Sequence, residues 1–230
     1  MRSVWDQMSN DYDSERERDR VYSNCIVATV GEISRMKGEP FLELGCGTGL
    51  VTRADFSKNG VKTRVGVDFS LESLKKLKQA DIPDLHLVCA DICKLPFKDS
   101  TFPSIVCTNT LQHFQPIERQ GALSEMQRVC KFGGSVLTTV HNYSDWKKRK
   151  GWAKVSYSYK GRELYTFRFS PEDLSQELLS CFSVKKIIGI GYPVSRRYIF
   201  PFWGGIELLI KHTSLGKRKG HMLLAVGIKP

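Results

Sequence analysis

Apolar side chains between residues 20 and 141 follow two alternating patterns. Short apolar runs, typical of buried strands, are separated by segments in which apolar positions recur every three or four residues, as on one face of a helix. This pattern predicts strands at 40–45, 63–68, 84–91, 104–110 and 135–141, and helices at 21–37, 48–58, 70–80 and 116–131, the last closed by Gly133 and Gly134. Alternation of strands and helices at this spacing predicts a parallel sheet with helices on both faces.

The pattern changes after residue 141. Residues 142–169 are rich in aromatic and basic side chains and contain alternating stretches, which favour an insertion in the form of a hairpin. Ser170 and Pro171 then begin a helix as its N-cap and first helical residue. Two further apolar runs, at 182–190 and 222–229, predict strands and bring the number of strands to seven.

A chain of 230 residues suits one domain with elaborations better than two independent domains. We therefore predict a single domain over residues 1–230, in which residues 1–38 form an N-terminal arm and helix. The insertion at 142–169 and a second irregular segment at 191–220, which contains the apolar stretch YIFPFWGGIELLI, follow the fifth and sixth strands. Both are expected to fold over the same edge of the sheet as a cap.

Composition narrows the functional classes. The chain has no run of about 18 apolar residues, and its polar start does not suit a secretory signal, so we expect a cytoplasmic protein. The seven cysteines are odd in number and contain no CxxC pair, which favours reduced core thiols over a disulfide framework or a zinc site. We therefore expect no bound metal.

The net charge of +11 is concentrated in the last third of the chain. Residues 1–140 hold 18 basic and 18 acidic side chains, whereas residues 141–220 hold 16 basic and 6 acidic ones. Such an excess favours an anionic partner such as phosphate, RNA or a lipid headgroup, although a merely solvated basic face is the alternative.

The stretch FLELGCGTGL places three glycines, Gly45, Gly47 and Gly49, at alternate positions behind the first strand. In an open parallel sheet, ligands bind at the carboxyl ends of the strands. Glycines remove side chains where a ligand must touch the main chain, and the start of the following helix offers amide groups to an anion. A tight turn that binds nothing is the simpler alternative.

Two aspartates at the next strand exits favour the binding interpretation. Asp68 follows Gly45 by 23 residues, close to the separation of about 20 at which an acidic side chain accepts hydrogen bonds from ribose hydroxyls. Asp91 closes the third strand, where its carboxylate could accept from the exocyclic amine of adenine while Ile92 packs on the base. Three successive strand exits with this chemistry predict a nucleoside site.

Five motifs together resemble the class I S-adenosylmethionine-dependent methyltransferases, a group that methylates small molecules and RNA. They are Glu43-Leu-Gly-Cys-Gly-Thr-Gly49, Gly66-Val-Asp68-Phe-Ser70, Ala90-Asp91-Ile92, Leu95-Pro-Phe97 and Gly133-Gly134. The resemblance implies a Rossmann-like, doubly wound α/β fold with a seven-stranded sheet in the order 3-2-1-4-5-7-6, in which the last strand is antiparallel. The chain departs from the family at Phe102-Pro103, where members commonly carry an acid. Because proline lacks an amide donor, the entry of the fourth strand must differ.

The same resemblance implies S-adenosylmethionine as the cofactor. It assigns the methionine end to Glu43 and the glycine turn, the ribose to Asp68, and the adenine to Asp91 and Ile92. Tyr12 matches an aromatic residue that such proteins place over the cofactor. The implied cofactor-binding set is Tyr12, Glu43, Gly45, Cys46, Gly47, Gly49, Asp68, Phe69, Asp91, Ile92 and Asn109.

Methyl transfer from a sulfonium is an in-line displacement, so such an enzyme mainly aligns the nucleophile, the carbon and the sulfur. Positioning of this kind supplies up to ~7–11 kcal/mol. A base is needed only if the nucleophile must lose a proton. His113 and His141, after the fourth and fifth strands, are the candidate catalytic residues, and a structural role is the alternative for both.

The acceptor is inferred from the two insertions. Aromatic and basic side chains are interleaved at 142–169, and the apolar stretch within 191–220 suits a pocket wall, a lid or a contact with a membrane surface. We therefore predict a small, lipophilic or anionic acceptor. RNA such as tRNA, bound through the basic region 141–220, is the rival substrate, and a non-catalytic partner subunit is the rival that is not an enzyme. The oligomeric state is left open.

Overall fold

The computed structural model describes residues 2–9, 18–53, 63–159, 161–191 and 213–230. Tyr12 and most of the second insertion, 191–220, lie outside the described residues. The predicted helix at 48–58 is described only as far as Arg53, whose N–H donates to the carbonyl of Gly49 at 2.9 Å within a turn.

A mixed sheet of seven strands is the centre of the fold. The described strands are β1 (Phe41–Leu44), β2 (Arg64–Asp68), β3 (Leu85–Cys89), β4 (Phe102–Thr108), β5 (Cys130–His141), β6 (Val155–Tyr159), β7 (Arg162–Phe167), β8 (Ser183–Ile190) and β9 (Met222–Ile228). The sheet order is β3-β2-β1-β4-β5-β9-β8, with β9 antiparallel to both β5 and β8 and the pairs from β3 to β5 parallel. Because β6 and β7 belong to the insertion, this is the predicted order 3-2-1-4-5-7-6, and the predicted fold is confirmed.

Helices precede or follow most of these strands. The described helices are α1 (Arg2–Met8), α2 (Arg20–Ile33), α3 (Leu71–Lys78), α4 (Pro116–Val129), α5 (Asp145–Arg149), α6 (Pro171–Leu179) and α7 (Ser214–Lys219). Ser170 caps α6 as predicted, since its Oγ accepts from the N–H of Asp173 at 3.2 Å and the carboxylate of Asp173 accepts in return from the N–H of Ser170. Within the described ranges, no helix is long and apolar enough to cross a membrane.

Hydrophobic side chains cover both faces of the sheet. Consecutive residues of a strand point to opposite faces, and Phe41 and Leu42 accordingly join two different buried clusters. The cluster of Phe41 includes Tyr22 and Ile33 of α2, and the cluster of Leu42 includes Leu123 of α4. Since both faces are occupied by packing, the carboxyl ends of the strands are the natural place for a site.

The start of β5 differs from the sequence-based expectation. The prediction that Gly133 and Gly134 close α4 is wrong, because both glycines lie inside β5. The pairing of β4 with β5 shifts its register between Phe102 and Ser104. Pro103, which has no amide to donate, lies at this shift, where residues 131–134 of β5 are opposite it.

The first insertion is a short helix, α5, followed by the expected hairpin. Strands β6 and β7 pair antiparallel as a separate two-stranded sheet. The buried Arg119 of α4 joins this hairpin to α6: its Nε lies 2.7 Å from Oε2 of Glu177, and its guanidinium carbon lies 4.8 Å from the ring centre of Phe167. A buried guanidinium is tolerated because it has such partners.

Candidate active site

A cavity of about 260 Å³ lies at the carboxyl ends of β1, β2, β3 and β4. Parallel strands end at the same edge of a sheet, so the strand-exit residues singled out in the sequence meet there. The residues from the predicted set that line the cavity are Glu43, Gly45, Cys46, Gly47, Asp68, Phe69, Asp91, Ile92, Asn109 and His113. Gly49 and His141 are not among the lining residues in the described part of the chain, and Tyr12 lies outside that part.

The glycine turn is closed by hydrogen bonds within the chain. The N–H groups of Gly45 and Cys46 donate to the carbonyl of Val67, at 2.7 and 3.1 Å. The N–H of Gly47 donates to Oδ2 of Asp68 at 2.8 Å. The sequence predicts main-chain contact with a ligand at this turn and amide groups for an anion at the start of the following helix. In the structure the amides of Gly45, Cys46 and Gly47 tie the turn to the end of β2.

Packing explains two of the three glycines. A Cβ at Gly45 would lie 2.1 Å from Oγ1 of Thr110, and a Cβ at Gly49 would lie 2.3 Å from Cδ1 of Leu77. At Gly47, by contrast, a Cβ would meet no atom within 4 Å. The turn therefore has no room for a side chain at Gly45 and Gly49, because Thr110 and Leu77 lie too close. Among the three glycines, only Gly47 has open space beside it.

We expect Gly45→Ala to destabilise the chain more than Gly47→Ala. Both glycines have positive φ, 69° and 54°, where an alanine costs about 1–2 kcal/mol. Only at Gly45 must the new Cβ also displace Thr110, which adds about 1–3 kcal/mol of overpacking. Urea unfolding should show losses of about 3 kcal/mol for Gly45→Ala and about 1 kcal/mol for Gly47→Ala. Equal losses would contradict this steric explanation.

Asp68 is buried at the end of β2 with both oxygens bonded to main chain. Oδ2 accepts from the N–H of Gly47 and Oδ1 accepts from the N–H of Ser70, each at 2.8 Å. Burial raises the pKa of Asp68, and the hydrogen bonds from Ser70 and Gly47 oppose that rise. Because each carboxylate oxygen has further lone pairs, Asp68 retains the capacity to accept hydrogen bonds from a ligand in the cavity it lines.

Glu43 is the most deeply buried acid of the site. Glu43 is the last but one residue of β1 and is 3% exposed, and its Oε2 accepts a hydrogen bond from Oγ1 of Thr52 at 2.6 Å. Burial raises the pKa of Glu43 to about 7; the hydrogen bond from Thr52 opposes the rise, and the charge of Asp68 adds to it. A cation bound beside this carboxyl would favour its ionised form.

Asn109 follows β4 in the left-handed region, with φ of 54°. Its Nδ2 donates to the hydroxyl of Tyr22 on α2 at 2.7 Å, whereas its buried Oδ1 has no hydrogen-bond partner among the described residues. Buried carbonyl oxygens in proteins are nearly always paired. This oxygen, at the cavity wall, is therefore a place for a donor group of a ligand.

His113 joins the cavity to the hairpin of the insertion. Its Nδ1 lies 3.0 Å from the carbonyl of Tyr165 on β7, and a carbonyl can only accept, so Nδ1 carries the proton. Its Nε2 lies 3.3 Å from Nε2 of Gln112, whose Oε1 accepts from the N–H of His141 at 2.7 Å. The lone pair of His113 is thus directed at an amide donor, which gives this residue a structural role whatever its part in catalysis.

The sequence-based prediction missed three aromatic residues of the site, Trp5, Tyr22 and Phe114. Trp5 of α1 lines the cavity and packs edge-on against His113, with ring centres 4.9 Å apart, and Tyr22 lines it beside Asn109. The helical pattern of 21–37 could have suggested a buried Tyr22. Nothing in the polar segment around Trp5 indicated that α1 folds back over the strand ends.

Residues 42–138 match the family model of the methyltransferase domain, which covers the strands whose ends build this cavity. The match covers less than half of the chain, and it supports a class I S-adenosylmethionine-dependent methyltransferase. The predicted resemblance, the enzyme class and S-adenosylmethionine as the cofactor are confirmed.

Three comparisons place this methyltransferase among known proteins. It is 32% identical to the demethylmenaquinone methyltransferase of Streptomyces avermitilis over 149 residues, which are 63% of this chain and 61% of that enzyme. It is 26% identical over 189 residues to an uncharacterized protein of Methanocaldococcus jannaschii, covering 82% and 79% of the two chains. A solved Thermotoga maritima structure, described as an S-adenosylmethionine-dependent methyltransferase and possible histamine N-methyltransferase, superposes with a TM-score of 0.68 at 16% identity over 100% of both chains.

The identity and coverage of these relatives limit which of their properties apply to this chain. At 16% identity the Thermotoga structure shows the fold alone. The alignments with other demethylmenaquinone methyltransferases, of Beutenbergia cavernae and Corynebacterium kroppenstedtii, span 48% and 47% of those enzymes. The acceptor is therefore a matter for proposal.

The residues of the cavity fit the cofactor of the family. S-adenosylmethionine carries positive charge on its sulfonium and ammonium groups and donor hydroxyls on its ribose. The cavity offers the carboxylates of Glu43, Asp68 and Asp91 and the unpaired Oδ1 of Asn109. Hydrogen-bond acceptors outnumber cationic side chains among the described lining residues, as binding of a cationic ligand requires.

Proposed function

We propose that this methyltransferase transfers the methyl group of S-adenosylmethionine to a small lipophilic acceptor with a quinol-like ring. The observation that carries the proposal is the apolar part of the remaining cavity wall, which includes Trp5, Leu50, Val51 and Phe114. Apolar and aromatic walls favour a flat, apolar ligand. The relatives of 31–37% identity that are named demethylmenaquinone methyltransferases support an acceptor of this kind.

The cofactor is held by the strand exits in this proposal. Asp68 accepts from the ribose hydroxyls through its remaining lone pairs, and Asp91 with Ile92 binds the adenine. Glu43 lies toward the methionine end, where its carboxylate offsets the positive charge. The unpaired Oδ1 of Asn109 accepts a hydrogen bond from a donor group of the cofactor. Each of these side chains lines the cavity in the structure.

Bound S-adenosylmethionine supplies a methyl group that is already activated on sulfur. The chain aligns the reactants and excludes water. The contacts to the nucleoside fix the cofactor, and Trp5 and Phe114 shield the methyl acceptor from solvent. If the acceptor must lose a proton, His113 is the lining residue that can accept it, at Nε2, once the acceptor hydroxyl replaces Gln112 as the neighbour of that nitrogen. His141 is not a described lining residue, and its main-chain N–H, not its ring, donates to Oε1 of Gln112.

Turnover with labelled cofactor tests the acceptor class. We expect the full chain to transfer label from methyl-labelled S-adenosylmethionine to reduced short-chain demethylmenaquinone analogues, and not to small amines or total tRNA. Trp5→Ala should raise the KM for the quinol at least about tenfold, because a buried aromatic contact contributes about 1.5–3 kcal/mol. Trp152→Ala, a tryptophan outside the lining residues, is the matched control and should leave this KM unchanged.

Two outcomes would overturn the proposal. Label found in tRNA instead of the quinol would support the RNA alternative. Intact binding of S-adenosylmethionine without transfer to any acceptor would support the non-catalytic partner subunit.

A further inference from the structure

Two short basic helices that are distant in sequence meet on one side of the molecule. Asn142, just before α5, donates through Nδ2 to the carbonyls of Lys217 in α7 and of Gly220, at 2.7 and 2.8 Å. The Nζ of Lys147, buried in α5, donates to the carbonyl of His221 at 2.9 Å. These hydrogen bonds hold α5 and α7 together as one surface, which we call the α5–α7 surface.

This surface carries cations without matching acids. Residues 145–150 contain four Lys and Arg, of which Lys147 is buried, and one acid, and residues 214–219 contain three Lys and Arg and no acid. Lys148, Arg149 and Lys150 are exposed. No carboxylate whose side chain the structure describes pairs with these three residues or with the exposed Lys219. The surface therefore attracts an anionic partner.

Exposed apolar side chains lie among these cations. Trp152 is 44% exposed, with the guanidinium carbon of Arg168 5.2 Å from its ring centre, and Leu215 of α7 is 48% exposed. Tryptophan flanked by Lys and Arg is typical of side chains at the level of lipid headgroups, where the ring enters the interface and the cations meet phosphates. An exposed leucine contributes to contact with lipid but has no partner on a nucleic-acid backbone.

The α5–α7 surface is joined to the cavity by the insertion itself. The chain continues from α5 through Trp152 into β6 and β7, and the carbonyl of Tyr165 on β7 accepts the hydrogen bond from His113 at the cavity wall. A membrane contact at α5 would therefore lie on the same insertion that borders the acceptor wall.

We propose that the α5–α7 surface docks the methyltransferase onto anionic phospholipid membranes, from which a lipophilic acceptor enters the cavity. The occupant is a bilayer surface that carries negative headgroups. The acceptor part of this inference rests on the proposed function, whereas the docking does not.

Vesicle sedimentation of the full chain tests the docking. We expect binding to vesicles of phosphatidylglycerol and phosphatidylcholine mixed in equal parts, weakened by 0.5 M salt, and little binding to phosphatidylcholine alone. The double variant Lys148→Glu/Lys150→Glu should lower the partition coefficient more than about tenfold, because each substitution removes an attraction to the anionic surface and adds a repulsion. Lys78→Glu/Lys98→Glu changes the net charge equally at exposed positions elsewhere and should lower it much less.

Several results would overturn the docking: no binding to the anionic vesicles, equal loss in both double variants, or release of the bound protein by tRNA at equal phosphate concentration. The last would assign the surface to RNA. Calorimetric binding of S-adenosylmethionine and turnover with a water-soluble quinol should stay at wild-type levels in Lys148→Glu/Lys150→Glu. Failure of the proposed function would abolish quinol turnover in wild type and leave vesicle binding intact, so the two failures are distinguishable.

Discussion

Asp68→Ala should lower the affinity of the methyltransferase for S-adenosylmethionine at least about 100-fold. A hydrogen bond to a charged group contributes about 1.5–3 kcal/mol. Loss of the proposed contacts to two ribose hydroxyls would therefore reduce the binding free energy by about 3 kcal/mol or more. The substitution also frees the N–H of Gly47 and of Ser70, which the carboxylate holds at 2.8 Å. Isothermal titration calorimetry of wild type and variant measures the change.

Asp99→Ala is the matched control for this experiment. The carboxylate of Asp99 is exposed, pairs with Arg128 at 2.7 Å and does not belong to the lining residues. Its removal should leave the affinity for S-adenosylmethionine unchanged. Thermal unfolding of Asp68→Ala establishes that the variant is folded. A folded Asp68→Ala that binds like Asp99→Ala would show that the ribose assignment is wrong.

Glu43→Gln should remove the part of the pH dependence of the free energy of unfolding that comes from the ionisation of Glu43. The folded chain holds the pKa of Glu43 near 7, above its ordinary value of 4.5, so the folded state binds more protons than the unfolded state between these pH values. The contribution of Glu43 is therefore fully present below about pH 4.5 and is lost as the pH rises through about 7. It amounts to about 3 kcal/mol at 1.36 kcal/mol per pKa unit.

Urea unfolding of the chain without cofactor, at several pH values from 4.5 to 8, measures this contribution. The free energy of unfolding of Glu43→Gln relative to wild type should rise by about 3 kcal/mol over that interval. Parallel curves for the two proteins would mean that Glu43 ionises alike in the folded and unfolded chain, and that the carboxyl is not desolvated as its 3% exposure indicates.

The strand-exit residues of the site could be predicted from sequence because the hydrophobic pattern identifies the strands and therefore the edge of the sheet at which these residues lie. Once β1, β2 and β3 are recognised as parallel strands, their carboxyl ends must share one edge, which brings Glu43, Asp68 and Asp91 together. The order of the sheet came from the family resemblance, and the hairpin from the alternation within 142–169.

Other parts of the site depend on contacts that no local pattern encodes. His113 is fixed by the main-chain carbonyl of Tyr165, and a carbonyl is present at every position of a sequence. Trp5 reaches the cavity because α1 packs over the strand ends, a tertiary contact of a polar segment. The sequence predicts that the glycine turn leaves room for a ligand, and the close approach of Thr110 to Gly45 and of Leu77 to Gly49 adds a packing reason that no local pattern shows.

In the proposed complex, consecutive strand ends hold the adenosyl group of the cofactor, and its reactive end faces Trp5 and Phe114. A crystal structure of the full chain with S-adenosylhomocysteine tests this most directly. We expect ribose hydroxyls hydrogen-bonded to Asp68, adenine between Asp91 and Ile92, and the sulfur facing the space lined by Trp5 and Phe114. A nucleoside bound elsewhere, or bound here with Asp68 still paired only to Gly47 and Ser70, would contradict it.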